Sequence, residues 1–146
     1  MANSIVPLIS SDVQGPLGVC HLTRLWLKVL MGARDLLPEG HDICGMGFDQ
    51  MVLDGLKLDR DATLAYLRSE FPTYLQFEQW ILDQKGGSLN QGEVEALNSA
   101  IRGYNHADET RASILSAAGR ADDGSVLDAV RLNALEDWND FHADIK

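Results

Sequence analysis

The chain has too few cysteines for a disulfide-rich secreted domain and no apolar run long enough for a membrane-spanning helix. Of its 146 residues only two are cysteine, Cys20 and Cys44, and two cannot form the disulfide framework of a small secreted domain. The longest apolar run is interrupted by Lys28, which argues against a membrane-spanning helix. The first ten residues lack the basic region of a secretory signal. A cytoplasmic protein with reduced thiols is therefore expected.

Positive charge is also scarce. Twelve Lys and Arg residues stand against 22 Asp and Glu, which gives a formal net charge of −10 and a pI near 4.6. A surface of this sign repels the phosphate backbone and anionic lipid headgroups. Neither a nucleic acid nor a membrane is an expected partner.

Signatures of cofactor and metal sites are missing as well. The glycine pair at 45 and 47, in GMGF, lacks both the third glycine and the preceding strand of a dinucleotide-binding turn. The four histidines and two cysteines show none of the paired spacings of a zinc site. No cofactor and no metal are predicted. The histidines are His21, His41, His106 and His142.

What the sequence does contain is helical patterning. Residues 20–37 place apolar side chains at helical spacing, with a polar flank formed by His21, Arg24 and Lys28. Pro38 is expected to end this helix, because proline disfavours helical geometry in the residue before it. Residues 38–49 combine glycines with apolar and titratable side chains and predict either a packed connector or the wall of a pocket.

Helix-capping residues recur through the rest of the chain. Asp59, Thr73 and Asn90 each precede an amphipathic segment, and Ser125 is expected to open the last helix. That helix should bury one apolar face. The residues on this face are Leu127, Val130, Ala134, Trp138 and Phe141.

No useful strand alternation appears. The fold prediction is all-α: an extended arm over residues 1–14, and a single compact domain over 15–146 with six to seven helices packed around the helix at about 20–37.

The candidate ligand-binding residues begin with the polar flank of that central helix. Arg24 and Lys28 are expected to hold an anion, and His21 lies one turn away as an acid. We expect the Arg24 guanidinium to meet Asp49 in the 45–49 loop, since arginine cannot lose its charge to escape burial. The alternative is a solvated face paired internally with Asp35 or another acid.

Acid–base chemistry would need a carboxylate near this flank. Asp49 and Glu78 are the candidate bases; Asp42 is a further carboxylate, and burial beside aromatic residues would raise the pKa of Glu78. The remaining expected ligand-binding residues are His41, Phe48, Tyr74 and Trp80. An exposed helical position for Glu78 is the alternative. Cys20 beside His21, or Cys44 near His41, is a candidate nucleophile, but buried cysteines are common in protein cores.

Three segments in order resemble a known family. They are LPEGHDICGMGFDQMVLDGLKLD, FEQWILDQKG and SLNQGEVEALNSAIRGY, and together they resemble the bacterial domain-of-unknown-function family 5069. The resemblance spans roughly residues 15–145 and implies a shared centre at the central helix and the loop after it, but no reaction. The matching residues are Arg24, Leu37, Pro38, Glu39, Gly45, Gly47, Phe48, Asp49, Glu78 to Trp80, Ser88, Glu93 and Asn98.

Two functions of different classes are compatible with the sequence. The first is binding of a small anionic or aromatic metabolite between the central helix, the 38–49 loop and the helix at 73–85. If that site is catalytic, it is expected to be a cofactor-independent lyase, isomerase or hydrolase. The second is a non-catalytic interaction module, in which the arm or the last helix docks a partner or forms a homodimer.

Overall fold

Seven α-helices make up the regular structure of residues 3–146, the part of the chain that this computed structural model describes. This part contains no strand, only two isolated backbone bridges, and none of its helices has the length and apolar character needed to cross a membrane. The all-α, single-domain prediction is confirmed. The helices are α1 (Leu22–Ala33), α2 (Phe48–Gly55), α3 (Arg60–Glu70), α4 (Tyr74–Gln84), α5 (Gln91–Arg102), α6 (Asp108–Ala117) and α7 (Ala129–Ile145).

The central position predicted for α1 is also confirmed. Its apolar face is fully buried at Leu22, Leu25 and Val29, and it packs against α2, α3 and α4. The main core extends from this face into α2, α4 and α5, whereas α6 and the first half of α7 enclose a smaller cluster around Ile114 and Leu132. Burying apolar side chains at this spacing is what stabilises α1 as a helix.

The predicted caps at the starts of α3, α4 and α5 are present. Asp59 accepts a hydrogen bond from the backbone N–H of Ala62 at 2.8 Å, and Asn90 accepts one from Glu93 at 3.0 Å. Thr73 forms a complete capping box with Gln76. Each cap satisfies backbone donors that the first helical turn leaves without partners.

The predicted bounds of α1 were too wide. The helix begins after His21, which has a left-handed backbone with φ of 69°, and it ends at Ala33, well before Pro38. Asp35 has φ of 55°, outside the right-handed helical region, so the chain has left the helix before the proline is reached. Proline is therefore not what ends α1.

Two expectations for the last helix were wrong. The helix begins at Ala129 with Asp128 as its cap, while Ser125 donates to Asp123 in a separate turn. Its apolar face is only half buried, because the last two turns extend beyond the helices that cover its first half; residues 140–146 are all exposed. Leu127, Trp138 and Phe141 are 38%, 61% and 40% exposed, although they were expected to lie inside.

Candidate functional site

A cavity of about 390 Å³ lies between α1, the loop that follows it, α2 and α7. Six of the nine residues predicted for a site line this cavity. They are His21, Arg24, Lys28, His41, Phe48 and Asp49. The structure thus joins the polar flank of α1 to the glycine-rich loop, as expected from the sequence.

Asp49, in the first turn of α2, is the centre of the cavity's inner wall. It is 4% exposed, and three donors converge on its carboxylate. His21 Nε2 lies 2.7 Å from Oδ1, while Lys28 Nζ and the backbone N–H of Gly45 lie 2.6 and 2.7 Å from Oδ2. One buried carboxylate therefore links α1, the loop and α2.

The ionisation of this group follows from its surroundings. Burial alone raises the pKa of the Asp49 carboxyl, but the interactions with His21 and Lys28 outweigh it and hold the pKa at about 2. Burial lowers the pKa of His21, and Asp49 offsets this only in part. At neutral pH the site therefore contains an ionised Asp49 beside a neutral imidazole.

The hydrogen bonds then define the tautomer of His21. An ionised carboxylate only accepts, so Nε2 carries the proton that points at Asp49. Nδ1 is the acceptor of the neutral ring and takes the hydroxyl proton of Ser11 at 2.8 Å. Both ring nitrogens therefore have hydrogen-bond partners. These two hydrogen bonds fix the side chain and help to hold the backbone of His21 in its strained left-handed conformation.

Ser11, His21 and Asp49 have the residue types of a hydrolytic triad but not its accessibility. Ser11 is 2% exposed and does not line the cavity. A substrate carbonyl in the cavity would not reach its hydroxyl without movement of the arm. The geometry assigns Ser11 the role of orienting His21.

The predicted pairing of Arg24 with Asp49 is wrong. The guanidinium is buried at 8% exposure and forms a two-point ion pair with Asp137 of α7, at 2.7 Å from Nη1 and 3.3 Å from Nη2. Nη1 also lies 2.7 and 2.9 Å from the carbonyl oxygens of Pro7 and Ile9. Lys28 already neutralises Asp49, and Arg24, one turn away on the same face of α1, instead joins the arm to α7.

Three predicted site residues lie away from the cavity. Glu78 is buried, which was one of its two expected environments. Its carboxylate accepts a hydrogen bond from the backbone N–H of Leu17 at 3.2 Å. Trp80 stacks on Tyr66 with ring centroids 4.5 Å apart, and Tyr74 packs edge-on against Trp26. These aromatic residues pack α4 against the core. They were predicted to line a pocket because the apolar face of a core helix and the wall of a pocket contain the same residue types.

The thiols show no activation. Cys20 is completely buried and accepts a hydrogen bond from Gln14, and burial raises the pKa of the half-buried Cys44. Catalytic thiols need the opposite shift. Within residues 3–146, no three His, Cys, Asp or Glu side chains converge in a way that could hold a metal ion.

The outer wall of the cavity consists of residues that the sequence did not single out. Tyr104 meets Phe48 edge-on at 5.7 Å, and His106 Nε2 lies 2.7 Å from Asn133 Oδ1. Glu136 and Asp137 come from α7. Of these residues, only Asp137 has a sequence position that indicates an inward-facing side chain. A carboxylate three residues after Ala134 and seven after Val130 lies on the apolar face of its helix.

Removing Asp137 should destabilise the fold through Arg24. We expect Asp137→Leu to lower the free energy of unfolding by about 3–5 kcal/mol, because it leaves a buried guanidinium without a counter-ion. The double variant Arg24→Leu/Asp137→Leu should regain part of that loss. Urea denaturation of both and of the single variant Arg24→Leu, with Asp144→Leu as an exposed control on the same helix, measures the effect.

A double variant no more stable than the sum of the two single losses would show that the pair is not coupled. An unchanged midpoint for Asp137→Leu would show that Arg24 is solvated.

Comparison with family models, with curated proteins and with solved structures finds no match to this chain. The resemblance to family 5069 stays a prediction, and the role of the cavity is argued from its own geometry.

Proposed function

We propose that this protein binds a small molecule with an aromatic or apolar body in the cavity between α1, α2 and α7. The observation that carries the proposal is the row of buried ionisable side chains along one wall of that cavity. Five such groups, each less than 9% exposed, belong to two adjoining clusters: His21, Lys28 and Asp49 in one, Arg24 and Asp137 in the other.

Stability alone does not account for that row. Desolvating two charges costs several kcal/mol per ion, and well-packed apolar residues often replace a buried pair without loss. Buried, mutually perturbed ionisable groups beside a cavity are instead typical of binding and catalytic sites. The wall therefore supports a role in ligand binding.

The dimensions and the remaining lining fit a small ligand. A volume of about 390 Å³ lies near the lower end of the usual range for ligand pockets, roughly 300–1,000 Å³. Phe48 and Tyr104 supply an aromatic surface, and the glycines at 45 and 47 let the loop backbone come close.

If the site is catalytic, it would transfer protons without a redox cofactor. His21 can accept a proton from a ligand only after releasing Ser11 from Nδ1. Glu136 is more accessible, and its pKa is raised by partial burial and by the nearby charges of Asp140 and Asp137. A raised carboxylate pKa moves the group toward the range of a general base at neutral pH, which favours isomerase or lyase chemistry over hydrolysis through Ser11.

The structure also offers internal reporters for testing this proposal. Gly40, Gly45 and Gly47 line the cavity, whereas Gly86 and Gly119 lie elsewhere on the surface. In amide proton–nitrogen NMR spectra, a panel of small aromatic fragments should shift the first three glycine signals and leave the other two unchanged.

Tyr104→Ala should then weaken the binding of the best fragment about three- to tenfold, since an aromatic contact is worth about 0.5–1.5 kcal/mol. Tyr104→Phe keeps the ring and is the matched control. Shifts confined to glycines outside the cavity, or no shifts at all, would refute the proposal.

A second candidate function rests on α7. Trp138, Phe141 and Ile145 share one face of its final turns and are 61%, 40% and 66% exposed. Glu136, Asp140 and Asp144 flank this face, and the whole chain carries a net charge of −10. A second copy would bring like charges together, so the occupant that the surface favours is a partner helix with an apolar face bordered by Lys or Arg.

This second function predicts that the protein binds a fluorescent Leu/Lys amphipathic peptide and not its Leu/Glu counterpart. Trp138→Ala should abolish the binding, while Leu75→Ala, at an equally exposed site on α4, should not. Fluorescence anisotropy measures both. Equal binding of the two peptides, or sedimentation of the protein alone as a dimer through this face, would contradict the idea.

A further inference from the structure

The charges around the cavity are not balanced. Two cationic side chains, Arg24 and Lys28, line it together with four carboxylates. Counting only Lys, Arg, Asp and Glu, the lining therefore carries a formal charge of −2. The carboxylates belong to Asp42, Asp49, Glu136 and Asp137.

Both cations are already committed to carboxylates of the wall. Lys28 is paired with Asp49, and Arg24 with Asp137 and two backbone carbonyl oxygens. Each is more than nine-tenths buried. An incoming anion would have to break a buried ion pair to reach either of them, and this is costly because it leaves a carboxylate without a partner.

The other two carboxylates are not neutralised. Among residues 3–146, neither Asp42 nor Glu136 takes part in an ion pair or accepts a side-chain or backbone hydrogen bond. Asp42 lies in the loop and Glu136 on α7, so the two border the cavity from different elements. Asp140 and Asp137 lie near enough to Glu136 to raise its pKa, and the His41 and His106 rings are close enough to oppose them in part, without forming an ion pair with it.

Aromatic surface completes this arrangement. Tyr104 is 49% exposed and meets the edge of Phe48, so its ring is available to a ligand. The face of an aromatic ring attracts an ammonium group placed within about 6 Å of its centre. Unpaired carboxylates beside an exposed ring favour a positively charged ligand.

We propose that the ligand of this cavity is a small organic cation, an ammonium group attached to an apolar or aromatic body, held between the carboxylates of Asp42 and Glu136 and the ring of Tyr104. This inference rests on the proposed function of the cavity. It replaces the anion expected from the sequence, because that expectation depended on Arg24 and Lys28 lacking internal partners.

Three probes of nearly the same shape separate charge from shape: benzylammonium, benzyl alcohol and benzoate. Each is titrated into the intact protein while the amide signals of Gly45 and Gly47 are followed by NMR. We expect benzylammonium to bind at least about tenfold more tightly than benzoate, with benzyl alcohol between them. Added salt should reduce the difference in affinity between benzylammonium and benzoate, since the carboxylates of Asp42 and Glu136 are partly solvated.

Variants then assign the preference to named groups. Glu136→Gln and Asp42→Asn should each weaken benzylammonium binding about two- to fivefold, the range of a partly exposed ion pair, and leave benzyl alcohol binding unchanged. Asp144→Asn, on α7 but outside the cavity, changes the net charge equally and should have no effect. A thermal melt of each variant verifies that the fold is intact.

The outcomes distinguish this inference from the function on which it rests. Benzoate binding as tightly as benzylammonium, with shifts at Gly45 and Gly47, would overturn the cation inference and leave the cavity's binding role standing. If all three probes fail to shift those glycines, both proposals fail. An equal loss of benzylammonium binding in Asp144→Asn would show that only the overall charge of the protein is sensed.

Discussion

The buried carboxylate of Asp49 is the constraint on which the rest of the site depends. It receives His21 and Lys28 from α1 and the backbone of Gly45 from the loop, while α2 begins around it. An ionised carboxylate with so little exposure is tolerated only when donors surround it, and hydrogen bonds to charged groups contribute about 1.5–3 kcal/mol each. Meeting that requirement draws the loop against α1, while burial keeps the pKa of His21 below its ordinary value.

A second buried ion pair, Arg24 with Asp137, lies beside the first along the same wall of the cavity. It joins α1 to α7 and ties the arm through the carbonyls of Pro7 and Ile9. One pair joins α2 to α1 and the other joins α7 to α1, and residues of all three helices line the cavity. Because Lys28 and Arg24 are each paired with a carboxylate, the charge available to a ligand is that of the Asp42 and Glu136 carboxylates. The proposed preference for a cation thus follows from how the buried charges are neutralised.

The sequence was most informative where the relevant interactions are local. Capping residues such as Thr73 and the apolar stripe of α1 act within a few positions of the chain, and they predicted the helices and the central element. The join of α1 to the glycine loop was also predicted, because this loop is the segment that follows α1 in the chain. Partners distant in sequence were not: Arg24 and Asp137 are 113 positions apart, and no local pattern links them.

Composition misled where two environments use the same residues. Trp80 and Tyr74 were expected to line the pocket, but they pack against the core, and Tyr104 lines the cavity instead. Trp138 and Phe141 lie on a regular helical stripe, yet no helix within residues 3–146 covers the end of α7. A stripe specifies which face of a helix is apolar, and only the lengths of its neighbours decide whether that face is buried.

The arrangement of the cavity wall requires that Asp49 remain ionised inside the protein. A carboxylate with a lowered pKa adds stability above its ordinary pKa and loses it as the pH falls through the folded value. Following the carboxyl carbon of Asp49 by NMR during an acid titration tests the claim most directly, with Asp49→Asn used to assign the signal. We expect a midpoint near 2, well below the ordinary pKa of 3.8. A midpoint at or above 3.8 would contradict it.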